Sequence, residues 1–101
     1  MPYEVTYGLL VSDQETYARY RKEMAPMLED AGGRFRYDFE VARTLKSEAG
    51  GELNRVFVIQ FPDRKAWNGF LADPRYAVVR ARYFEPSVAR MVKLSESGPP
   101  E

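Results

Sequence analysis

The 101-residue sequence contains no cysteine and no histidine. The first absence excludes a disulfide scaffold, a thiolate metal site, an iron–sulfur cluster and a cysteine nucleophile. The second excludes a Ser-His-Asp triad, a histidine-ligated haem and most zinc chemistry. Net charge is missing too, because 15 Lys and Arg balance 15 Asp and Glu, and this argues against nucleic acid as a main partner. No apolar run reaches the roughly 18 residues of a membrane-spanning helix. The opening Met1-Pro2-Tyr3-Glu4 has neither the basic start nor the apolar core of an export signal. The expectation is a cytoplasmic chain with no membrane and no nucleic-acid partner. A P-loop, a dinucleotide glycine fingerprint and a nucleophile elbow are also absent, so no cofactor and no metal are assigned. Any catalysis falls to carboxylates, tyrosines or arginines.

Aromatic residues are plentiful: 7 Tyr, 6 Phe and 1 Trp. The basic set is 11 Arg against only 4 Lys, and arginine holds planar anions and packs in interfaces better than lysine does. Charge is uneven along the chain, with a net −3 over residues 1–33, +5 over 34–93 and −2 over 94–101. Such blocks form either solvated faces of separate elements or a basic pocket or complementary subunit contact.

Hydrophobic period assigns the elements. Tyr3, Val5, Tyr7, Leu9 and Val11 alternate in a first strand, with Gly8 and Leu10 on the other face. Ser12 with Glu15 three residues on reads as a capping box. Tyr17, Tyr20, Met24, Met27, Leu28 and Ala31 then recur at helical spacing up to Gly32-Gly33. Pro26 interrupts this helix and predicts a bend over 22–26. In the second strand, 34–41, Phe35, Tyr37, Phe39 and Val41 form one buried face against polar Arg34, Arg36, Asp38 and Glu40. A long polar connection, 42–53, carries Gly50-Gly51. The third strand, 55–61, has apolar residues of both parities, so both its faces must be covered. Asp63 caps a second helix bearing Ala66, Trp67, Phe70 and Leu71. Asp73-Pro74 restarts it, and Glu85-Pro86 stops it. Val88, Val92 and Leu94 are expected on one face of a last strand and Met91 on the other. Residues 1–94 thus form one domain, and 95–101 read as a flexible tail.

The order β-α-β-β-α-β specifies an α+β, ferredoxin-like, four-stranded antiparallel sheet with its helices on one face. The bare face must be hidden. Pairing two sheets face to face hides it and gives a homodimer, a dimeric α+β barrel.

Three tracts carry a resemblance. They are Thr16-Tyr17-Ala18-Arg19-Tyr20 followed by Pro26 and Gly32-Gly33-Arg34-Phe35, then residues 55–63, then Phe70-Leu71-Ala72-Asp73-Pro74-Arg75-Tyr76. Together, over residues 3–94, the chain resembles the domain of unknown function 1330 family. The resemblance implies ferredoxin-like subunits in a dimeric α/β barrel and no established reaction. The family pattern runs from the second strand into a short glycine-containing turn, where this chain has the long 42–53 connection.

Three groups of residues are candidates for chemistry. Asp38 and Glu40 share the polar side of a strand, where one carboxyl could serve as a general base with Tyr37 nearby. The plainer alternative is a strand face paired with Arg34 and Arg36. Arg36, Arg55, Arg80, Arg82 and Arg90 are candidate anion ligands where several converge, and Arg90 lies among strand apolars; the alternative is an ion pair within or between subunits. Tyr7, Tyr37, Trp67, Tyr76 and Tyr83 could line an aromatic pocket for a small flat or apolar molecule, on the order of a few hundred Å³ in volume; the alternative is ordinary core. The ligand-binding set is therefore Tyr7, Arg36, Trp67, Tyr76 and Arg90. Two functions follow. One is a small-molecule-binding dimer. The other is a structural or protein-interaction module with no metabolite, suggested by the charge asymmetry and the 42–53 segment.

Overall fold

A computed structural model describes residues 2–98. The strands are β1 (Tyr3–Val11), β2 (Arg34–Glu40), β3 (Arg55–Phe61) and β4 (Val88–Ser97). The helices are α1 (Gln14–Asp30), α2 (Arg64–Ala72) and α3 (Pro74–Val79), and α3 passes directly into a π-helical turn, Arg80–Phe84. The sheet is antiparallel throughout, in the order β2-β3-β1-β4. This is the α+β, ferredoxin-like arrangement expected from the element order.

Tyr3, Val5, Leu9, Phe57, Ile59 and Phe61 project from the two central strands toward Tyr17, Tyr20, Met24 and Leu28 of α1 and Phe70, Tyr76 and Val79 beyond it, and these form one buried core. Local chemistry sets the helix boundaries. Asp13, not Ser12, caps α1: its carboxylate accepts from the Thr16 amide at 3.1 Å and the Thr16 hydroxyl at 2.7 Å. The Ser12 hydroxyl instead donates to the Ser87 carbonyl. Asp63 and Asp73 cap α2 and α3 as expected. Helix α1 continues through Pro26. Lys22, whose carbonyl loses its helical donor, is exposed to solvent. Gly32 closes the helix at φ 77°.

Three register shifts change which side chains face the core, one of them at Leu94, between Thr6 and Tyr7, which brings Glu96 to the side of Tyr3. In β2 the pairing slips between Phe35 and Tyr37: Phe35 opposes Ile59 but Tyr37 opposes Val58. Arg36 is the extra residue. One inserted residue turns every later side chain over. Tyr37 and Phe39 therefore do not share the buried face with Phe35; they lie on the helix-free side, 50% and 53% exposed. Asp38 and Glu40 move to the helix side, opposite Phe57 and Arg55. A second slip, between Leu10 and Val11, puts Val88 with Met91 on the core side, leaving Val92 and Leu94 on the other. Strand β4 also runs three residues past Leu94, pairing Ser95, Glu96 and Ser97 with β1. The rest of the expected tail, 99–101, lies outside the described residues.

The 42–53 connection folds back across the helix-free face. The Thr44 hydroxyl closes it, bonding both the amide and the carbonyl of Leu53 at 2.9 Å. Asn54 anchors its end, clasping the Val11 amide and carbonyl at 2.7 and 2.9 Å. Leu53 is buried against Gly8, where a Cβ would stand 2.7 Å from a Leu53 methyl. Gly51 adopts φ 97° and lies so close to Arg90 that a Cβ would meet its guanidinium at 2.4 Å. The left-handed backbone at Gly51 favours glycine.

Candidate functional site

A cavity of about 90 Å³ lies between the sheet and the helices. Strand β1 supplies Tyr7, β2 and β3 supply Phe35, Phe57 and Ile59, and α1 supplies Tyr17, Tyr20, Arg21 and Met24. Trp67, Phe70, Leu71, Tyr76, Arg80 and Phe84 close it from the other helices, and Met91 from β4. Leu71 and Met91 are 45% and 40% exposed, so the cavity reaches the surface between them. It is smaller than expected because rings fill it. Trp67 packs at 5.7 Å from Tyr3 and 5.3 Å from Phe61, and Phe70 at 4.3 Å from Tyr76.

An arginine stacked on a phenylalanine closes each end. The Arg21 guanidinium lies 3.9 Å from the Phe35 ring and that of Arg80 lies 4.8 Å from the Phe84 ring. Arg21 is fixed further by its Nε, which donates to the Tyr17 hydroxyl at 2.8 Å, and by its Nη2, which donates to Asp38 at 3.0 Å. Asp38 also receives a two-pronged pair from Arg55, at 2.8 and 2.9 Å. Partial burial alone would raise the Asp38 carboxyl, but the hydrogen bonds of Arg55 and the charge of Arg21 outweigh it and hold the carboxyl below its usual range. At neutral pH Asp38 is thus an ionised clamp between two guanidinium groups. Arg80 pairs with Glu85 across the π-helical turn, whose i→i+5 register is marked by the Glu85 amide donating to the Arg80 carbonyl at 3.0 Å.

Inside, the Tyr20 and Tyr76 hydroxyls are 2.7 Å apart. Burial raises both ionisations, and Tyr76 raises that of Tyr20 further. Tyr7 is raised by burial and by Glu96. All three phenols stay protonated at neutral pH.

Four of the residues singled out in the sequence, Tyr7, Trp67, Tyr76 and Arg80, line this cavity. Arg36 does not: it reaches across the helix-free face to Glu4 at 2.7 Å. Arg90 packs against Gly51, and its Nη1 is buried with no acceptor among the described residues. Tyr37 stacks on Phe39 at 6.1 Å on that same face. Tyr83 lies under Arg19, at 5.5 Å from its ring, away from the cavity lining. Sequence reasoning missed Tyr20, Arg21 and Phe84. Tyr20 was visible only as a core position, and no local signal marks a π-helical turn. Among the described residues, no group of three Asp or Glu side chains gathers as a metal site, and no helix is long and apolar enough to cross a membrane.

Comparison with known proteins agrees with this architecture. No curated protein matches the chain. A protein of unknown function from Rhodopseudomonas palustris superimposes with a TM-score of 0.82 at 17% identity, over 99% of this chain and 83% of that one. A Mesorhizobium loti protein, described as a dabb family protein with a ferredoxin-like fold, aligns at 0.70 and 11% identity over 99% and 98%. A putative antibiotic biosynthesis monooxygenase from Bacteroides thetaiotaomicron aligns at 0.59 and 12% identity over 97% and 89%. At such identities the likeness is one of fold. The sequence itself matches a family model over residues 5–96, nearly the whole fold just described, and the chain belongs to the family called domain of unknown function DUF1330.

Proposed function

We propose that this chain forms a homodimer through the helix-free face of its sheet and that each copy binds a small, flat or apolar organic molecule between sheet and helices. The observation that carries the reading is the aromatic cavity, which reaches the surface at Leu71 and Met91 and has tyrosine hydroxyls inside. Apolar walls with a few convergent polar groups are the ordinary form of a small-molecule site. In this reading Tyr7, Trp67 and Tyr76 contact the ligand. Asp38 acts at one remove, holding Arg21 over one end of the cavity.

The dimer is supported by the other face. Tyr37, Phe39 and Leu94 are about half exposed there, and exposed apolar surface of this kind marks contact sites. Arg36 and Arg90 then belong to the subunit contact rather than to the ligand.

Trp67 is the only tryptophan, so its fluorescence reports occupancy directly. Titration with small aromatic compounds is expected to change that signal and to raise the thermal midpoint together. At a hundredfold excess over Kd the added stability is about 2.7 kcal/mol. If no compound in a neutral and charged aromatic set moves either signal, the cavity is only core. The interaction-module reading then stands, carried by the 42–53 segment and the groove it makes over Val56, Val92 and Leu94.

A further inference from the structure

The donor and acceptor inventory of the cavity narrows the class of ligand. Its polar lining consists of four tyrosines, Trp67, Arg21 and Arg80, with no Asp, Glu, Asn or Gln. Tryptophan and arginine only donate, and tyrosine both donates and accepts. The protein already uses part of this capacity. The Tyr76 hydroxyl lies 2.7 Å from that of Tyr20, and Tyr20 and Arg80 both ease its ionisation against the larger opposing effect of burial. In the arrangement where Tyr20 donates to it, the Tyr76 proton is left to donate into the cavity. The Tyr7 hydroxyl makes no hydrogen bond among the described residues; beyond burial it feels the Glu96 carboxylate first, then the Tyr76 phenol and the opposing charge of Arg80. One guanidinium and two phenols thus line the same cavity, with no carboxylate or amide in its lining; Glu85 pairs with Arg80 from outside it, and Glu96, held by Tyr3, Arg64 and Lys93, acts on Tyr7 from outside it.

We propose that the cavity selects a planar organic anion, its carboxylate oxygens held by Arg80, Tyr76 and Tyr7 and its apolar body by Trp67, Leu71 and Met91. The proposal rests on the reading of the cavity as a ligand site and goes further by fixing the charge of the occupant. A cationic or donor-only head group would meet Arg80 and find no carboxylate. Arg80 has a rival partner in Glu85, but the Glu85 side chain is 59% exposed, and such a pair is weak in water. A ligand carboxylate inside the cavity, with less water around it, competes well for the same guanidinium. The π-helical turn is what brings Arg80 and Phe84 to one wall, and such turns recur at functional sites. Size fits a head group better than a whole ring. The 90 Å³ is about three water shares of ~30 Å³ and less than the ~150 Å³ that encloses benzene. The carboxylate enters, and the ring sits where the exposed Leu71 and Met91 side chains part.

The test is a titration of the full chain with benzoate, benzamide and benzylamine, three similar molecules that differ in charge, read by Trp67 fluorescence and calorimetry. Benzoate is expected to bind at least about tenfold more tightly than benzamide, and benzylamine more weakly than either. Arg80→Met should lower benzoate affinity roughly 10- to 100-fold and leave benzamide nearly unchanged. Tyr7→Phe, which removes no packing, should lower benzoate affinity about fivefold. Equal affinity for the three compounds, or preference for benzylamine, overturns the anion assignment while leaving the cavity a ligand site. Benzoate binding that survives Arg80→Met overturns the role of Arg80. If none of the three binds, both readings fall. Should Arg80→Met not fold, the ratio of benzoate to benzamide in the native chain and the Tyr7→Phe result decide the matter.

Discussion

On the helix-covered face of the sheet, Tyr3, Val5, Leu9 and Phe61 are at most 1% exposed, whereas on the opposite face Tyr37, Phe39 and Leu94 are about half exposed. The residue types are alike, aromatic and aliphatic on alternating strands, so composition does not explain the difference. What lies opposite does. Helices α1, α2 and α3 cover the first face, while the 42–53 connection covers only one part of the second, around Gly8 and Leu53. One face is thereby finished within the chain, with a small cavity left among its rings. The other is finished only when something else meets it. A hydrophobic alternation guarantees that a strand has an apolar side; it does not say that the same chain will bury it.

Mutations on the two faces should separate accordingly. Phe61→Ala, on the finished face, removes a ring touching Trp67 and Phe70 and should cost about 3–5 kcal/mol in urea unfolding. A loss under about 1 kcal/mol would mean that the face is less tightly packed than described. Gly8→Val, on the other face, drives a side chain into Leu53 and should cost about 1–3 kcal/mol. A neutral result there would show that the 42–53 connection does not rest on the sheet.

Asp38→Asn tests the clamp that the β2 bulge creates. It leaves Arg21 and Arg55 without their shared carboxylate and should cost about 1–2 kcal/mol at neutral pH. The folded carboxyl lies below its unfolded range, so its contribution is present above the ordinary value of about 3.9 and fades as pH falls through the lower folded value. Urea midpoints of wild type and variant should therefore converge as pH falls through that lower folded value. A constant gap would assign the loss to packing rather than charge. The smallest effect belongs to Leu45→Ser, since Leu45 is 82% exposed. It should move stability by less than about 0.5 kcal/mol, and a larger loss would reveal a contact over the connection.

Much of the fold was legible in the sequence because it depends on long, regular patterns. The period of two in Tyr3–Val11, the helical spacing from Tyr17 to Leu28 and the Asp73-Pro74 restart each repeat their signal several times. The bulge at Arg36 repeats nothing. Phe35, Tyr37 and Phe39 look like one continuous alternation, and only the pairing with β3 shows that the strand turns over between them. That single residue decides whether Tyr37 and Asp38 face the helices. The same limit applied to the site. Trp67 and Tyr76 stood out as large aromatics at helix positions, whereas Arg21 acquires its place by stacking on Phe35, a contact between elements that no local spacing encodes. Strand β4 ran past its apolar residues for a related reason. Glu96 is held there by Tyr3, Arg64 and Lys93, partners distant in sequence or unreadable from period alone.

The contrast between a finished and an unfinished face is tested most directly by the mass of the native chain in solution. Light scattering of the full-length protein at micromolar concentration should give twice the 11.7 kDa of one chain, as two helix-free faces cover each other. A particle of 11.7 kDa at that concentration would contradict the account, because Tyr37, Phe39 and Leu94 would then remain in water.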